Sequence, residues 1–335
     1  MNEEIRNKLK ALGNLIGNTP MVRIHFRYKG VPMEIYAKVE YYNYSGSIKD
    51  RMAYHILKDA YESGKIQPGD EICEATSGNT GIAFTAIGSF LGHKVNIYMP
   101  DWMSVERIRL ISSLGGNVIL VSREEGGFQG SIARCQAAGE CACTFLPKQF
   151  ENDGNRVAHY ISTGPEIERQ MAAFGVAADG FTAGYGTGGT LMGIGEYLKD
   201  KTGCKVYPME PANSLISATG EKKSGGHRIQ GISDDFIPPI LKMEKLDDIV
   251  VVEDGDAIIM AQLLAKKFGL GVGISSGGNF LAALKIQLEH GVKHAVTTFA
   301  DDSKKYLSTD YAKEEPVKDG YLTRDIELIS FDCVR

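Results

Sequence analysis

EICEATSGNTGIAFTAIGSFLGHKVNIYM, Glu71–Met99, is the stretch that decides the fold. Glu71–Ala75 reads as a short buried strand. It runs into a turn of glycine and hydroxyl residues, Thr76–Thr80. Thr80–Leu91 then has the length and apolar content of a buried helix, and Lys94–Met99 is strand again. Strand, helix and strand in succession lay the two strands side by side and parallel, with the helix over one face.

The alternation continues outward from there. Ser104–Leu114 reads as helix, Asn117–Val121 as strand, Gly127–Ala138 as helix and Thr144–Leu146 as strand. Asn155–Phe174 carries helical periodicity. Phe181–Ala183 is a strand that enters a glycine loop and a helix reaching Leu198. Lys205–Met209, Ile249–Val252 and His294–Phe299 are further strands, with helices at Asp254–Phe268 and Ser276–Glu289. The expected fold class is α/β, with mainly parallel twisted sheets flanked by helices. Ligands of such sheets gather at the carboxyl ends of the strands. At about 150 residues per domain, a chain of 335 is expected to form two domains.

Hydrophobic residues make up 43% and charged residues 24%, an ordinary balance for a globular chain. The net charge of −5, with no long run of one sign, gives no footprint for nucleic acid or an anionic membrane surface. No apolar stretch reaches the roughly 18 residues of a membrane span. The first residues, MNEEIRNKLKALGNLIG, lack the apolar segment of a signal peptide, so the cytoplasm is the expected compartment. The six cysteines form no CxxC pair and no HExxH is present, so free thiols and no metal site are expected.

Four local motifs carry chemistry. In NYSGSIKDR, Asn43–Arg51, a lysine follows a Ser/Gly turn and opens a helix. A lysine so placed acts as a nucleophile toward an aldehyde, or is simply a solvated surface residue. TSGNT, Thr76–Thr80, puts hydroxyls and backbone N–H groups at a helix start, which suits a carboxylate or serves as a helix cap. GYGTGGT, Gly184–Thr190, lets several N–H groups converge on a phosphate. It lacks the Lys-Ser/Thr ending of a Walker loop and does not fit the dinucleotide fingerprint. GISSGGN, Gly273–Asn279, offers a serine to a ligand heteroatom or to its own helix as a cap.

Taken together and in this order, these motifs resemble the cysteine synthase / cystathionine β-synthase family of pyridoxal-phosphate (PLP) enzymes, fold type II. The resemblance runs from LIGNTPMVRI, Leu15–Ile24, to KKYLSTD, Lys304–Asp310. It implies two α/β domains, a smaller mobile one over residues 36–150 and a larger one over 1–35 and 151–335, assembled as a homodimer. It implies PLP held by Lys49 as a Schiff base, with the same lysine removing the substrate Cα proton. Asn79 matches the asparagine at the PLP 3′-oxygen. Thr76, Ser77 and Thr80 match the loop that grips the substrate carboxylate, and Gln149 in LPKQFEN matches its helper. Gly186, Thr187, Gly188, Gly189 and Thr190 match the phosphate cup. Ser275 matches the serine that faces the pyridine nitrogen. A neutral partner there weakens the electron sink relative to an acidic one, which favours loss of a β-substituent through an aminoacrylate over transamination.

The chain departs from the family at GISDDFIP, Gly231–Pro238, where cysteine synthases carry GIGAGFIP and cystathionine β-synthases GIGYDFIP. Asp235, and after it Asp234, are the expected acid–base groups, if they do not simply face solvent. A carboxylate in a closed site repels incoming bisulfide and deprotonates a neutral thiol or water. Tyr44, in place of a proline, and ADDSKKYLST, Ala300–Thr309, in place of a PDSGERYLST-like run, alter the substrate pocket. The expected activity is β-elimination or β-replacement on L-cysteine, releasing hydrogen sulfide and forming L-serine or a thioether. The alternatives are a cysteine synthase using O-acetylserine and sulfide, a cystathionine β-synthase-like condensation, and a PLP-binding scaffold without turnover.

Overall fold

The computed structural model describes residues 1–215, 226–233 and 236–335. The chain opens with helix α1 (Glu3–Gly13), whose N-cap Asn2 accepts from the Ile5 N–H at 2.9 Å. Ile5, Leu9 and Leu12 recur at helical spacing and are its buried face. Strands β1 (Met21–Tyr28) and β2 (Val31–Val39) form an antiparallel hairpin. Their two-residue turn, Lys29–Gly30, has both φ angles positive, at 50° and 80°, as the twist of a tight hairpin requires.

The following segment builds a four-stranded parallel sheet from β3 (Glu71–Ala75), β4 (Lys94–Pro100), β5 (Asn117–Val121) and β6 (Thr144–Phe145), in the order β5-β4-β3-β6. Helices α2 (Lys49–Glu62), α3 (Asn79–Leu91), α4 (Val105–Ser113) and α5 (Gly127–Ala138) belong to this part of the chain. Helix α3 is buried over most of its surface, which explains why its sequence shows no polar stripe.

The second sheet has seven strands. It adds β7 (Gly180–Gly184), β8 (Lys205–Pro211), β9 (Val250–Val252), β10 (Ala295–Phe299) and β11 (Ile326–Val334) to the hairpin, in the order β11-β1-β2-β10-β7-β8-β9. Pairing is parallel from β2 through β9 and antiparallel at β1 with both neighbours. Helices α6 (Gly154–Ala158), α7 (Gly164–Ala173), α8 (Gly189–Thr202), α9 (Asp254–Phe268) and α10 (Ile274–His290) complete the order. The two sheets and their helices bear out the α/β class.

Two features differ from the sequence expectation. Asn155–Phe174 is not one helix but α6, a π turn at His159–Thr163 and α7. Pro165 has no N–H to return to the Ile161 carbonyl, and the backbone widens just before it. The strands β1, β2 and β11, which make the antiparallel edge, lay outside the strands read from the sequence. Among the described residues no helix is long and apolar enough to cross a membrane. All six cysteines are free thiols.

Candidate active site

The strand ends of both sheets meet at a cavity that, with the solvent space open to it, spans about 540 Å³. Its walls include Lys49, Asn79, Gly186, Thr187, Gly188, Thr190 and Ser275. A contiguous cavity of about 420 Å³ shares Lys49, Asn79, Gly186 and Thr187, and adds Thr76, Ser77, Thr80 and Gln149. The structure thus brings together nearly all the described site residues singled out from the sequence. Gly189, which does not line either cavity, sits at the start of α8 beneath the same loop. Asp234 and Asp235 lie outside the described residues; Gly231 and Ile232, which lead into them, line the larger cavity.

Lys49 is the first residue of α2, and its neighbours fix where it stands. The Ile48 N–H donates to the Ala300 carbonyl at 2.8 Å, stitching the helix start to the end of β10. Asp50 is fully buried and accepts from the Ser45 N–H at 2.7 Å and from the Ser45 hydroxyl. Burial pushes its carboxyl up to about 6. Arg51 is 2% exposed and pairs with Glu40 at 2.6 Å and Glu166 at 2.8 Å. Burial raises the Glu40 carboxyl, but Arg51 and then Lys38 outweigh it and hold that carboxyl down at about 2. Both residues after Lys49 are locked, so the lysine has little freedom of origin.

Asn79 opens α3 and donates through Nδ2 to Asp301 at 2.7 Å. Its Oδ1 is buried with no hydrogen-bond partner and is left for a ligand. Thr80 Oγ1 donates to Gln149 Oε1 at 2.6 Å, and Gln149 Nε2 donates to the Ala75 carbonyl at 2.6 Å. The Gln149 N–H donates to buried Glu74 at 3.1 Å. Gln149 is therefore tied to the end of β3 by both its side chain and its backbone.

The glycine loop closes the opposite wall. Gly188 caps α8 with φ at 87°, a conformation natural to glycine. A Cβ on Gly186 would lie 2.6 Å from the Gly231 carbonyl oxygen, and one on Gly189 would lie 2.0 Å from Asn155 Oδ1. At those two positions only backbone fits. Asn155 donates to Thr187 Oγ1 at 2.8 Å, and Thr190 Oγ1 lies 3.2 Å from His159 Nε2. His159 sits in the π turn, completely buried, and desolvation with Arg51 nearby drives its pKa down to about 3. It is a neutral imidazole at ordinary pH.

Ser275 lies in the first turn of α10. Asn279, four residues on, accepts from the Gly184 N–H at 2.8 Å and donates to the Thr298 carbonyl at 2.7 Å. It ties α10 to the ends of β7 and β10. Sequence reasoning named Ser275 in that motif and missed Asn279, along with Asp301, Glu74, Asn155 and His159. Asp301 had a signal: it lies in ADDSKKYLST, already marked as a departure from the family.

A glycine-rich loop at the start of α8, the Lys49 side chain, an unpartnered asparagine oxygen and a neutral serine around one cavity suit a phosphorylated pyridine aldehyde. The profile of pyridoxal-phosphate dependent enzymes matches residues 12–301.

The chain belongs to the pyridoxal-phosphate dependent enzyme family.

Its relatives narrow the chemistry. It is 41% identical to cysteine synthase B of Campylobacter jejuni over 90% of this chain and 98% of that protein. The crystal structure of a hydrogen sulfide-producing enzyme from Fusobacterium nucleatum is similar at 54% identity with a TM-score of 0.95, over 98% of this chain and 99% of that one. An aspartate-to-asparagine mutant of that enzyme, in its lysine-dimethylated form, has been seen in complex with an α-aminoacrylate intermediate, and matches at 53% identity with the same TM-score and coverage. The chain is a pyridoxal-phosphate dependent enzyme of the cysteine synthase family. Among its described residues no group of three or more His, Cys, Asp or Glu is arranged to hold a metal ion.

Proposed function

We propose that this enzyme takes L-cysteine, releases hydrogen sulfide and adds water at Cβ to form L-serine, with a thiol as the competing nucleophile. The observation that carries the proposal is the sequence GISDDFIP, Gly231–Pro238, whose first two residues line the cavity beside Lys49. Cysteine synthases have small residues where this chain has Asp234 and Asp235.

Lys49 holds the cofactor and takes the Cα proton on Nζ. Pyridoxal phosphate, when bound, supplies the electron sink that acidifies that proton and lets the β-substituent depart. Gly186–Thr190 receive its phosphate, Asn79 its ring oxygen and Ser275 its ring nitrogen. Thr76, Ser77, Thr80 and Gln149 bind the substrate carboxylate, which fixes the Cα–H toward Lys49. Asp235, with Asp234 as the second choice, removes the proton of the incoming water and disfavours an anionic nucleophile. The smaller domain, residues 36–150, closes over the bound carboxylate. The active form is a homodimer in the cytoplasm. The F. nucleatum neighbour, a sulfide producer whose aspartate mutant was seen with an α-aminoacrylate, supports this direction.

A cysteine synthase is the second reading, favoured by the relatives of that name. Purified enzyme incubated with L-cysteine separates the two. Sulfide and serine are expected, with serine formation lost and pyruvate plus ammonia gained in Asp235→Asn or Asp234→Asn. Full sulfide release with the same product in both variants sinks the role of the acids. Fast cysteine formation from O-acetylserine and sulfide, with little release from cysteine, makes the chain a synthase.

A further inference from the structure

Arg107 has no part in the assignments above, yet it is a buried cation on the wall of the substrate cavity. It lies on α4, is 2% exposed, and lines the same cavity as Lys49, Thr76, Thr80 and Gln149. Its Nη1 donates to the side-chain oxygen of Gln230 and lies 3.5 Å from Ser104 Oγ. Its guanidinium lies 4.7 Å over the ring of Tyr306. Its Nε has no hydrogen-bond partner. Gly78 makes room for it: a Cβ there would lie 2.2 Å from Arg107 Cδ.

No carboxylate among the described residues forms an ion pair with Arg107. The adjacent acid, Glu106, accepts instead from the Ser308 N–H at 2.7 Å and the Ser308 hydroxyl at 2.6 Å. A buried guanidinium with an idle N–H and neutral partners is costly unless an anion reaches it. It is fixed in place by Tyr306, Gln230 and the glycine notch. Such a group stabilises charge that appears during a reaction, because it needs no reorganisation.

We infer that Arg107 is a catalytic residue that receives the negative charge developing on the departing β-substituent. This rests on the cavity being the site of β-elimination. As the Cα proton passes to Lys49 Nζ, the Cα–H electron pair becomes the Cα–Cβ double bond. The Cβ–S bond breaks, its electron pair leaves on sulfur, and the hydrosulfide emerges as an anion against the guanidinium. The substrate carboxylate stays with Thr80 and Gln149.

The test compares leaving groups in the parent, Arg107→Gln and Arg107→Lys holoenzymes. Hydrosulfide is a far more basic leaving group than chloride and gains more from a cation; chloride, from β-chloro-L-alanine, gains little. In Arg107→Gln, kcat for elimination from L-cysteine is expected to fall about 100-fold or more, and from β-chloro-L-alanine about threefold or less. Arg107→Lys, which keeps the charge, is expected to recover most of the loss. Equal loss on both substrates, or a rise in KM alone, overturns the inference and makes Arg107 a structural or carboxylate-binding residue. If Arg107→Gln does not fold, Arg107→Met takes its place with the same expectation: a larger loss on cysteine than on β-chloro-L-alanine supports the role, and equal losses overturn it. If the parent itself releases no sulfide from cysteine, the proposed function fails while this inference is tested with O-acetylserine, whose acetate is the more basic leaving group, against β-chloro-L-alanine.

Discussion

Asn79 and Asp301 are 222 residues apart and joined by a 2.7 Å hydrogen bond from the asparagine Nδ2 to the aspartate Oδ2. The bond links the start of α3 to the turn after β10, one from each sheet. Asp301 is fully buried and also accepts from the Tyr306 hydroxyl at 2.7 Å. With its donor spent on Asp301, Asn79 turns an unpartnered oxygen to the cavity. Asp301 thus decides which end of the asparagine amide a ligand meets.

Asp301→Ala strands two buried donors, Asn79 Nδ2 and Tyr306 OH. Each stranded group costs about 1–3 kcal/mol, so a loss of about 2–5 kcal/mol in urea unfolding is expected. Asp301→Asn keeps one acceptor oxygen and is expected to lose less. Both variants should release pyridoxal phosphate faster on dilution, because Asn79 is free to present its other end. Unchanged stability in Asp301→Ala would show that water replaces the carboxylate.

Lys49→Ala tests the tether. Removal of the amine is expected to abolish the visible absorption band of the bound cofactor and to cut sulfide release from L-cysteine by at least about 10³-fold. The helix itself should persist, since Asp50 and Arg51 keep their own partners. A retained band places the covalent link on another lysine.

Two buried groups give opposite slopes of stability with pH. Burial pushes the Glu74 carboxyl up to about 7, against the lowering effect of the backbone N–H groups of Ala75 and Gln149. A carboxyl whose folded pKa is raised contributes stability below its unfolded value, and that stability is lost as pH rises from about 4.5 through about 7. His159 has the reverse sign: its folded pKa is lowered to about 3, so stability is lost as pH falls from about 6.5 through about 3. Glu74→Gln removes only the first effect. Its thermal midpoint, relative to the parent, is expected to climb between pH 5 and pH 8, by roughly a few kcal/mol in stability. KM for L-cysteine should also rise severalfold, because a neutral amide holds the Gln149 N–H less firmly. A midpoint difference that is flat with pH would mean that Glu74 is ionised throughout.

Much of the site was legible because its backbone chemistry is local. TSGNT, GYGTGG and GISSGGN each sit between a strand end and a helix start, so hydroxyls, glycines and N–H groups appear as short sequence runs. The residues behind them were not legible, because their partners are remote: Asp301 meets Asn79, Asn155 meets Thr187, and His159 meets Thr190 only after the sheets have formed. Arg107 was equally hidden. Nothing local in VERIRLISS marks it as turned inward; its burial and the notch at Gly78 do. Most helices and parallel strands followed from apolar length and turn chemistry; α1 and β2 were not among the elements read from the sequence. The π turn at His159–Thr163 did not, because it keeps helical periodicity and shifts it by one residue. The exposed edge strand β11 escaped for a related reason: most of it is solvent-facing, and it carries little of the apolar pattern that marks the buried strands.

The glycine cup offers the last prediction. Gly189 lies against Asn155 Oδ1, and Asn155 in turn donates to Thr187 Oγ1 and to the Gln149 carbonyl at 2.9 Å. A methyl group on Gly189 must push Asn155 away, so it disturbs the loop assigned to the phosphate and the loop assigned to the substrate carboxylate together. Gly186→Ala strikes a different neighbour, the Gly231 carbonyl, and so displaces the segment leading into Asp234 and Asp235. Gly189→Ala is expected to weaken pyridoxal-phosphate retention and raise KM for L-cysteine in the same protein. Gly186→Ala is expected to weaken retention and change the ratio of serine to pyruvate, with a smaller effect on KM. Equilibrium dialysis of the cofactor and product analysis from L-cysteine distinguish the two. If both variants change only retention, the cup is coupled to neither loop, and Asn155 is a local prop.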